Sequence, residues 1–489
     1  MTIAETPKDY RGAISETVDT AEGPLPEQDR ARVPFAMQDF DYVPRERYYD
    51  REFFELEKKH LWTKTWQMAA RLEEIPNPGD YTEYEIVGNS MLIVRQPDGG
   101  VKALHNACRH RATELAKGCG RLPGGQIVCP FHGWRWNLDG SPSYLFMEET
   151  FADEVTQPKD VRLLEAKVEI WANMVWINLD HDAPPLSEYL EPVQGLLDAV
   201  GVGNMRAKWW KKVILNANWK MAQEAFFEAY HVMQTHPQLL MGGGTEAGEA
   251  MSRSSEYTIW KGGHARFQSA TTENKAYLDL DGVGQQDDAV AAEIFIESQR
   301  LLASGQDAMA LDRDVQIFEG VRNRPVAEGD ERSFGERAIA AFFEYAAGAG
   351  IPVAPPNADN IRLWGGDIVL FPNYLMLPML GNCLVYRARP YNDDPEWCQF
   401  DVWSLTTYPE GQEPERLELK GIFDKDDVDG WGLIPRQDFS NIEGQQRGLH
   451  SAGYRASRLS RVYEKSIANA HHEIDRYIAE GTAPKVDGH

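Results

Sequence analysis

Cys108-Arg-His110 and, after an interval of eighteen residues, Cys129-Pro-Phe-His132-Gly-Trp134 decide the reading of this 489-residue chain. Each clip offers one thiol and one imidazole. Two kinds of metal site can use such a set. The first is a zinc clip, although Cys2His2 fingers pair Cys with Cys and His with His, whereas each clip here mixes the two. The second is a [2Fe–2S] centre in which two Cys hold one iron and two His hold the other, an arrangement that raises the reduction potential above that of all-Cys clusters. Gly118, Gly120, Gly124 and Gly125 lie between the clips and Gly133 follows the second, where tight turns offer backbone amides to the sulfurs.

Around the clips, from Tyr81 to Leu179, short β-rich runs such as Met91–Arg95 and Val168–Ala172 are cut by Gly and Pro turns, the pattern of a small all-β module. Pro184 and Pro185 close it. Before it, apolar residues at helical spacing (Phe53, Phe54, Leu56, Leu61, Trp62) predict one amphipathic helix over Asp50–Trp66. Residues 1–44 are polar and aperiodic and read as a mobile arm. The expected division is therefore an arm over 1–44, a helix and all-β domain over 45–185, and a larger domain over 186–489. In that larger domain Ala217–Thr235 reads as a helix, Asp367–Thr407 as strands, and 413–423 and 440–481 as helices. Strands and helices are segregated, so the fold class is α+β. The stretch from Gly242 to about Asn360 is weakly patterned, and Gly242-x-Gly244-x-x-Ala247 follows a helix instead of a strand, so it reads as a flexible loop and not a dinucleotide fingerprint.

Composition removes several function classes. A formal charge of −26 opposes binding to nucleic acid or to an anionic membrane. No apolar run approaches the ~18 residues of a membrane span, and the first nine residues lack an apolar signal core, so a cytoplasmic location is expected. Cys119, Cys383 and Cys398 form no paired framework beside the two clips, which favours metal binding over disulfides. Lys208, Lys211 and Lys212, around Trp209 and Trp210, are one candidate basic patch for an electron-carrying partner.

A second set of ligand-type residues lies at Glu228-Ala-Tyr-His231-Val-Met-Gln-Thr-His236. On a helix, Ala222, Phe226, Ala229 and Met233 form an apolar stripe, with Glu224, Glu228, His231 and Thr235 opposite. His236 is ~140° from His231 on an ideal helix, but Pro237 disfavours helical geometry at His236, so the chain can turn and bring both imidazoles to one ion. Two His and one carboxylate with open positions form the facial triad of Fe(II) oxygenases. Ordinary polar helix residues are the alternative for the pair taken alone. The third ligand must come from elsewhere. Ser440-x-x-Glu443 reads as a capping box opening a helix, and Asp424, Asp426, Asp427 and Asp429 read as a solvated turn.

Cys-Arg-His-Arg followed by Cys-Pro-Phe-His-Gly-Trp resembles the cluster-binding signature of the Rieske ring-hydroxylating oxygenases, with Ile75–Asp80 and Ala103–Cys108 similar to the family's lead-in. Glu228–His236 looks like the family's mononuclear-iron motif, and Gly432–Glu443 is similar to the segment that carries the carboxylate ligand, placing Asp438 in that role. The resemblance spans residues 45–235 closely and 365–480 loosely. It implies a terminal oxygenase subunit with an all-β Rieske domain and a helix-grip catalytic domain. It also implies a [2Fe–2S] cluster on Cys108, His110, Cys129 and His132 and mononuclear Fe(II) on His231, His236 and Asp438. Electrons from NAD(P)H would arrive through a ferredoxin and/or flavin reductase and reduce O2 for attack on a small organic substrate, aromatic or largely apolar. The family's subunits form head-to-tail trimers, in some cases with a small beta subunit, and the acid matching Glu228 bridges a cluster histidine of one subunit to an iron histidine of the next.

The chain departs from the dihydroxylase pattern at two points. Position 228 is Glu where many ring dihydroxylases have Asp, and Ala225 stands near where several have Asn, so a monooxygenase acting on an amine or ether, by hydroxylation or demethylation, is the alternative. The 201 residues between His236 and Asp438 leave room for a pocket; Met376, Leu377, Met379 and Leu380 offer it an apolar lining, and core packing explains those residues equally well. Rivals from other classes are a Rieske electron carrier, which would not need the triad, and a zinc-stabilised binding protein, which would be colourless.

Overall fold

The computed structural model describes residues 19–240, 253, 255–268, 288–355 and 364–483, which form two compact units. The Gly242–Ala247 loop expectation falls outside the described residues, as does the arm before residue 19. The larger unit takes the described residues of Met1–Glu55, Leu190–Glu413 and Leu419–His489; the smaller takes Leu56–Tyr189 and a returning segment, Pro414–Glu418.

In the smaller unit seven strands order as Gln67–Arg71, Met174–Asn178, Glu165–Trp171, Val101–His105, Asn89–Arg95, Asp80–Ile86 and Cys119–Arg121. A second sheet joins Gln126–Val128, Arg135–Asn137 and Pro142–Tyr144. Strand Asp80–Ile86 alternates buried and open positions, so one of its faces meets the core. The returning segment is tied in where Leu417 N donates to Glu73 O at 2.8 Å and Arg416 pairs with Asp80.

The larger unit is built on an eight-stranded sheet ordered Glu256–Ile259, Ala265–Gln268, Asp367–Leu370, Tyr374–Met379, Asn382–Tyr391, Asp394–Thr406, Arg206–Leu215 and Leu419–Ile422. Every pairing is antiparallel except the last. Helices Leu433–Leu449 and Lys465–Gly481 pack on it through Phe439 against Phe400 and Tyr477 against Phe371, giving the α+β class expected from the sequence pattern in the helix-grip form that the family resemblance implied. Helices Asp288–Gln306, Asp312–Arg322 and Phe334–Ala349 form their own layer around Phe295, Phe318 and Phe334.

Several expectations are corrected. The single helix over Asp50–Trp66 is a short helix, Arg51–Leu56, that widens into a π-type turn at Glu57–Leu61. Residues 19–44 are anchored: Val33, Ala36 and Met37 are buried, Met37 N donates to Asp475 Oδ2 at 2.8 Å, and Tyr42–Pro44 pairs with Ala456–Arg458. Arg47 reinforces the anchor through Asp475 at 2.5 Å and His471 at 3.0 Å. These contacts place the chain up to Glu55 with the larger unit, and the smaller unit runs from Leu56 to Tyr189. Residues 413–423 are not helical; Leu419–Ile422 is an edge strand with alternating exposure. The helix expected from 440 begins at Leu433, so Ser440 and Glu443 lie inside it and form no capping box, and Glu443 Oε1 instead accepts from Asn216 N at 3.1 Å.

The lysine patch is also absent. Lys208 pairs with Asp307 at 2.5 Å, Lys211 donates to Gly430 O at 2.7 Å while lying over Trp209, and Lys212 sits 3.8 Å from Asp401. Burial pushes the Asp401 carboxyl up, yet Arg387, Lys212 and Arg389 outweigh it and hold the group well below the usual carboxylate range. Lys208 is thus engaged by the half-exposed Asp307, Lys211 by a carbonyl and the Trp209 ring, and Lys212 by the buried Asp401.

Candidate metal centres

The two clips occupy loops of matching geometry. Cys108 N donates to Thr113 O and Ala112 N returns to Cys108 O, both at 2.9 Å; Cys129 N donates to Trp134 O at 2.8 Å and Gly133 N returns to Cys129 O at 3.1 Å. The fourth residue after each cysteine turns left-handed, Gly133 at φ 73° without cost and Ala112 at φ 59°. Both thiols are buried, at 5% and 2% exposure, whereas His110 and His132 are only partly covered. The imidazoles lie 4.8 Å apart, centre to centre, and His110 stacks on Trp134 at 4.9 Å. Burial pushes the Cys108 thiol up, while the amides of His110 and Arg111 donate to it and pull it back.

The donor set fits two irons better than one zinc. Two thiols and two imidazoles suit the two irons of a Rieske centre, one like pair on each, and the two imidazoles lie side by side, 4.8 Å apart. Nδ1 of His110 is buried and, among the described residues, has no hydrogen-bond partner, as a nitrogen reserved for a metal would be.

The convergence at His231 and His236 comes from a break in the expected helix over Ala217–Thr235. The helix runs only over Trp219–Glu224, opened by Asn218, whose side chain accepts from Lys220 N. Glu228 then substitutes for a backbone acceptor: Oε2 takes the His231 N–H at 2.9 Å and Oε1 meets His231 Nδ1 at 2.8 Å. One further turn, Val232–Thr235, ends at His236 with φ −123°, the non-helical geometry required before Pro237. Asp438 projects from helix Leu433–Leu449 and is 3% exposed; its Oδ1 lies 2.8 Å from His236 Nε2 and 3.7 Å from His231 Nε2.

Each imidazole is fixed at its other nitrogen. Nδ1 of His231 meets Glu228 and Nδ1 of His236 meets Gln437 Oε1 at 2.9 Å, so both present Nε2 lone pairs toward Asp438. Burial pulls the His231 imidazole down, but the Glu228 hydrogen bond and the charges of Glu228, Asp438 and Asp367 outweigh it and raise it above its ordinary value. Gln437 was missed in the sequence; its position beside a candidate carboxylate was the one available signal. A cleft of about 870 Å³ opens beside the triad, lined by Glu228, His231, Gln234, Gln437, Asp438 and Asn441 among others. The four apolar residues expected to line a pocket are split instead: Met376 is wholly buried and Leu380 packs against the three-helix layer.

Gly432 sets the start of the Asp438 helix by close approach, since a Cβ there would fall 1.6 Å from Gly305 O. Gly432→Ala is therefore expected to destabilise the larger unit by on the order of 1–3 kcal/mol and to lower mononuclear iron while cluster iron stays. An unchanged melting temperature would show that the approach is not constraining.

Comparison with known proteins agrees with this geometry. The chain matches the Rieske [2Fe-2S] domain over residues 65–150. It is 29% identical over 200 residues to the glycine betaine monooxygenase oxygenase subunit of Pseudomonas aeruginosa, covering 40% of this chain and 45% of the relative. It is 33% identical over 207 residues to the large oxygenase component of the naphthalene 1,2-dioxygenase system of Pseudomonas putida, covering 40% and 44%. The chain thus spans about half the length of the curated relatives it matches. The fold is shared with the quaternary ammonium Rieske monooxygenase CntA in complex with L-carnitine, at TM-score 0.59 and 19% identity over 93% of this chain and 99% of that one. Residues 198–480, more than half of the sequence, match the ring hydroxylating alpha subunit catalytic domain, and the chain belongs to that family.

Proposed function

We propose that this chain is the terminal oxygenase of a Rieske non-haem iron monooxygenase system that oxidises an amine, hydroxylating a carbon next to nitrogen so that demethylation follows. The aromatic reading drawn first from the sequence gives way to its alternative. The observation that carries the preference is Glu228, the departure from the dihydroxylase pattern, clamped on His231 at 2.8 and 2.9 Å. The betaine and carnitine oxygenases among the relatives and fold neighbours support it.

In this reading Cys108, His110, Cys129 and His132 hold the [2Fe–2S] cluster, and His231, His236 and Asp438 hold mononuclear iron. The cluster supplies single electrons and the iron supplies the O2-activating centre. The protein's part is positional: Glu228 and Gln437 keep both Nδ1 atoms engaged so that Nε2 is the ligand, and Asp438 brings the charge of the triad. Electrons from NAD(P)H reach the chain through a ferredoxin and/or flavin reductase. A head-to-tail homotrimer, closed by one heterologous contact repeated three times, would set each cluster beside a neighbour's iron with Glu228 bridging the two histidines. Insertion of one oxygen atom into a C–H bond, with the other leaving as water, consumes two electrons and two protons. A screen of methylated amines and aromatic hydrocarbons with a surrogate reductase tests the proposal: O2 uptake with formaldehyde and the demethylated amine is expected, and a ring diol as sole product would contradict it.

A further inference from the structure

The iron-binding segment covers one identifiable face of the eight-stranded sheet. Phe226 packs in a tilted arrangement against Tyr386 at 4.2 Å and Phe400 at 5.5 Å, while Ala229 and Val232, on either side of His231, pack with Tyr257 and Phe267. Strand register places one acid on that same face. Tyr257 pairs with Phe267, and Phe267 with Asp367; two residues on, Val369 pairs with Leu375, Leu375 with Tyr386 and Tyr386 with Val402. Directly paired residues and i, i+2 residues share a face, so Asp367 stands in one row with Tyr257 and Phe267 and next to the row of Tyr386.

Asp367 is 7% exposed, and its carboxylate has no hydrogen-bond or ion-pair partner among the described residues. The Tyr386 hydroxyl, also buried, likewise has none. Such groups are costly unless something completes them. The histidines do not: His231 uses Nδ1 on Glu228 and His236 uses Nδ1 on Gln437, leaving only the Nε2 atoms that face Asp438. Asp367 is therefore not required to orient the triad, although it lies within the electrostatic reach of His231, Glu228 and both tyrosines. Burial pushes its carboxyl well above the ordinary range, with Glu228 adding to that and His231 opposing it, so a cation seated beside it would favour the ionised form.

We infer that Asp367 is the specificity-determining residue for substrate charge: with the rings of Tyr257, Phe267 and Tyr386 it forms an anionic, aromatic-walled seat for an organic ammonium group beside the iron triad. Aromatic faces attract quaternary ammonium through their negative π-surfaces, and a single carboxylate supplies the net charge that a neutral aromatic substrate would not need. The inference rests on the amine reading above and adds to it the group that recognises the cation.

Choline and its neutral carbon isostere, 3,3-dimethylbutan-1-ol, are the probes, titrated calorimetrically into iron- and cluster-loaded protein. The wild type should bind the cation at least about 10-fold more tightly, Asp367→Asn should erase that ratio with little change for the alcohol, and Asp367→Glu should retain part of it. Equal binding of the two probes by the wild type, or no binding of choline, overturns the assignment without any variant. A ratio that survives in a folded, iron-replete Asp367→Asn protein overturns it as well. Failure of the underlying reading looks different: the wild type would then release no formaldehyde from any methylated amine, whereas demethylation with an unaltered KM in Asp367→Asn would refute the role of Asp367 alone.

Discussion

Replacing Asp438 by Ala is expected to remove the mononuclear iron, and turnover with it, while leaving the cluster iron and its spectrum intact. Asp438 supplies the carboxylate of a set whose ligand atoms all lie within 4.8 Å of one another, and it is 3% exposed. Without it two neutral imidazoles remain, a weak and coordinatively loose site for Fe(II). Iron analysis before and after cluster extraction separates the two pools. Full mononuclear iron and full turnover in Asp438→Ala would move the ligand role to another carboxylate, Glu228 or Asp367.

The second large effect is kinetic. Glu228→Gln keeps an amide oxygen to accept from His231 Nδ1, so iron should still load, but the charge that orients the imidazole and, in the proposed trimer, joins it to a neighbour's cluster histidine is lost. Single-turnover reoxidation of the reduced cluster, with O2 and substrate present, should slow by about 10–100-fold. A rate equal to that of the wild type would leave Glu228 as a local clamp of the His231 turn and nothing more.

What the sequence made legible follows from how far apart the cooperating groups lie. The two Cys–His clips and the His231–His236 pair are local, and ligand-type residues at such short spacings are readable without a structure. Asp438 lies two hundred positions from its partners and was reachable only through family resemblance. The break after Glu224 escaped notice because its cause is a side chain: the Glu228 carboxylate replaces a main-chain acceptor, which no apolar period records. The helix Asp288–Gln306 escaped because the residues it buries are Ala292, Ile296, Gln299, Ala303 and Gly305, too small or polar to print a stripe. By contrast Ser333 and Glu336 form a full capping box at the head of Phe334–Ala349, a signal present in the sequence and passed over. Strand Leu419–Ile422 was misread as helix because it is an edge, paired on one side only, with alternate residues exposed.

Metal and sulfide stoichiometry on purified, reconstituted protein shows whether one chain holds both a Rieske cluster and a separate mononuclear iron. Three irons and two acid-labile sulfides per chain are expected, falling to two irons and two sulfides in Asp438→Ala. Zinc in place of the cluster iron, or a wild-type chain that saturates at two irons, would contradict it.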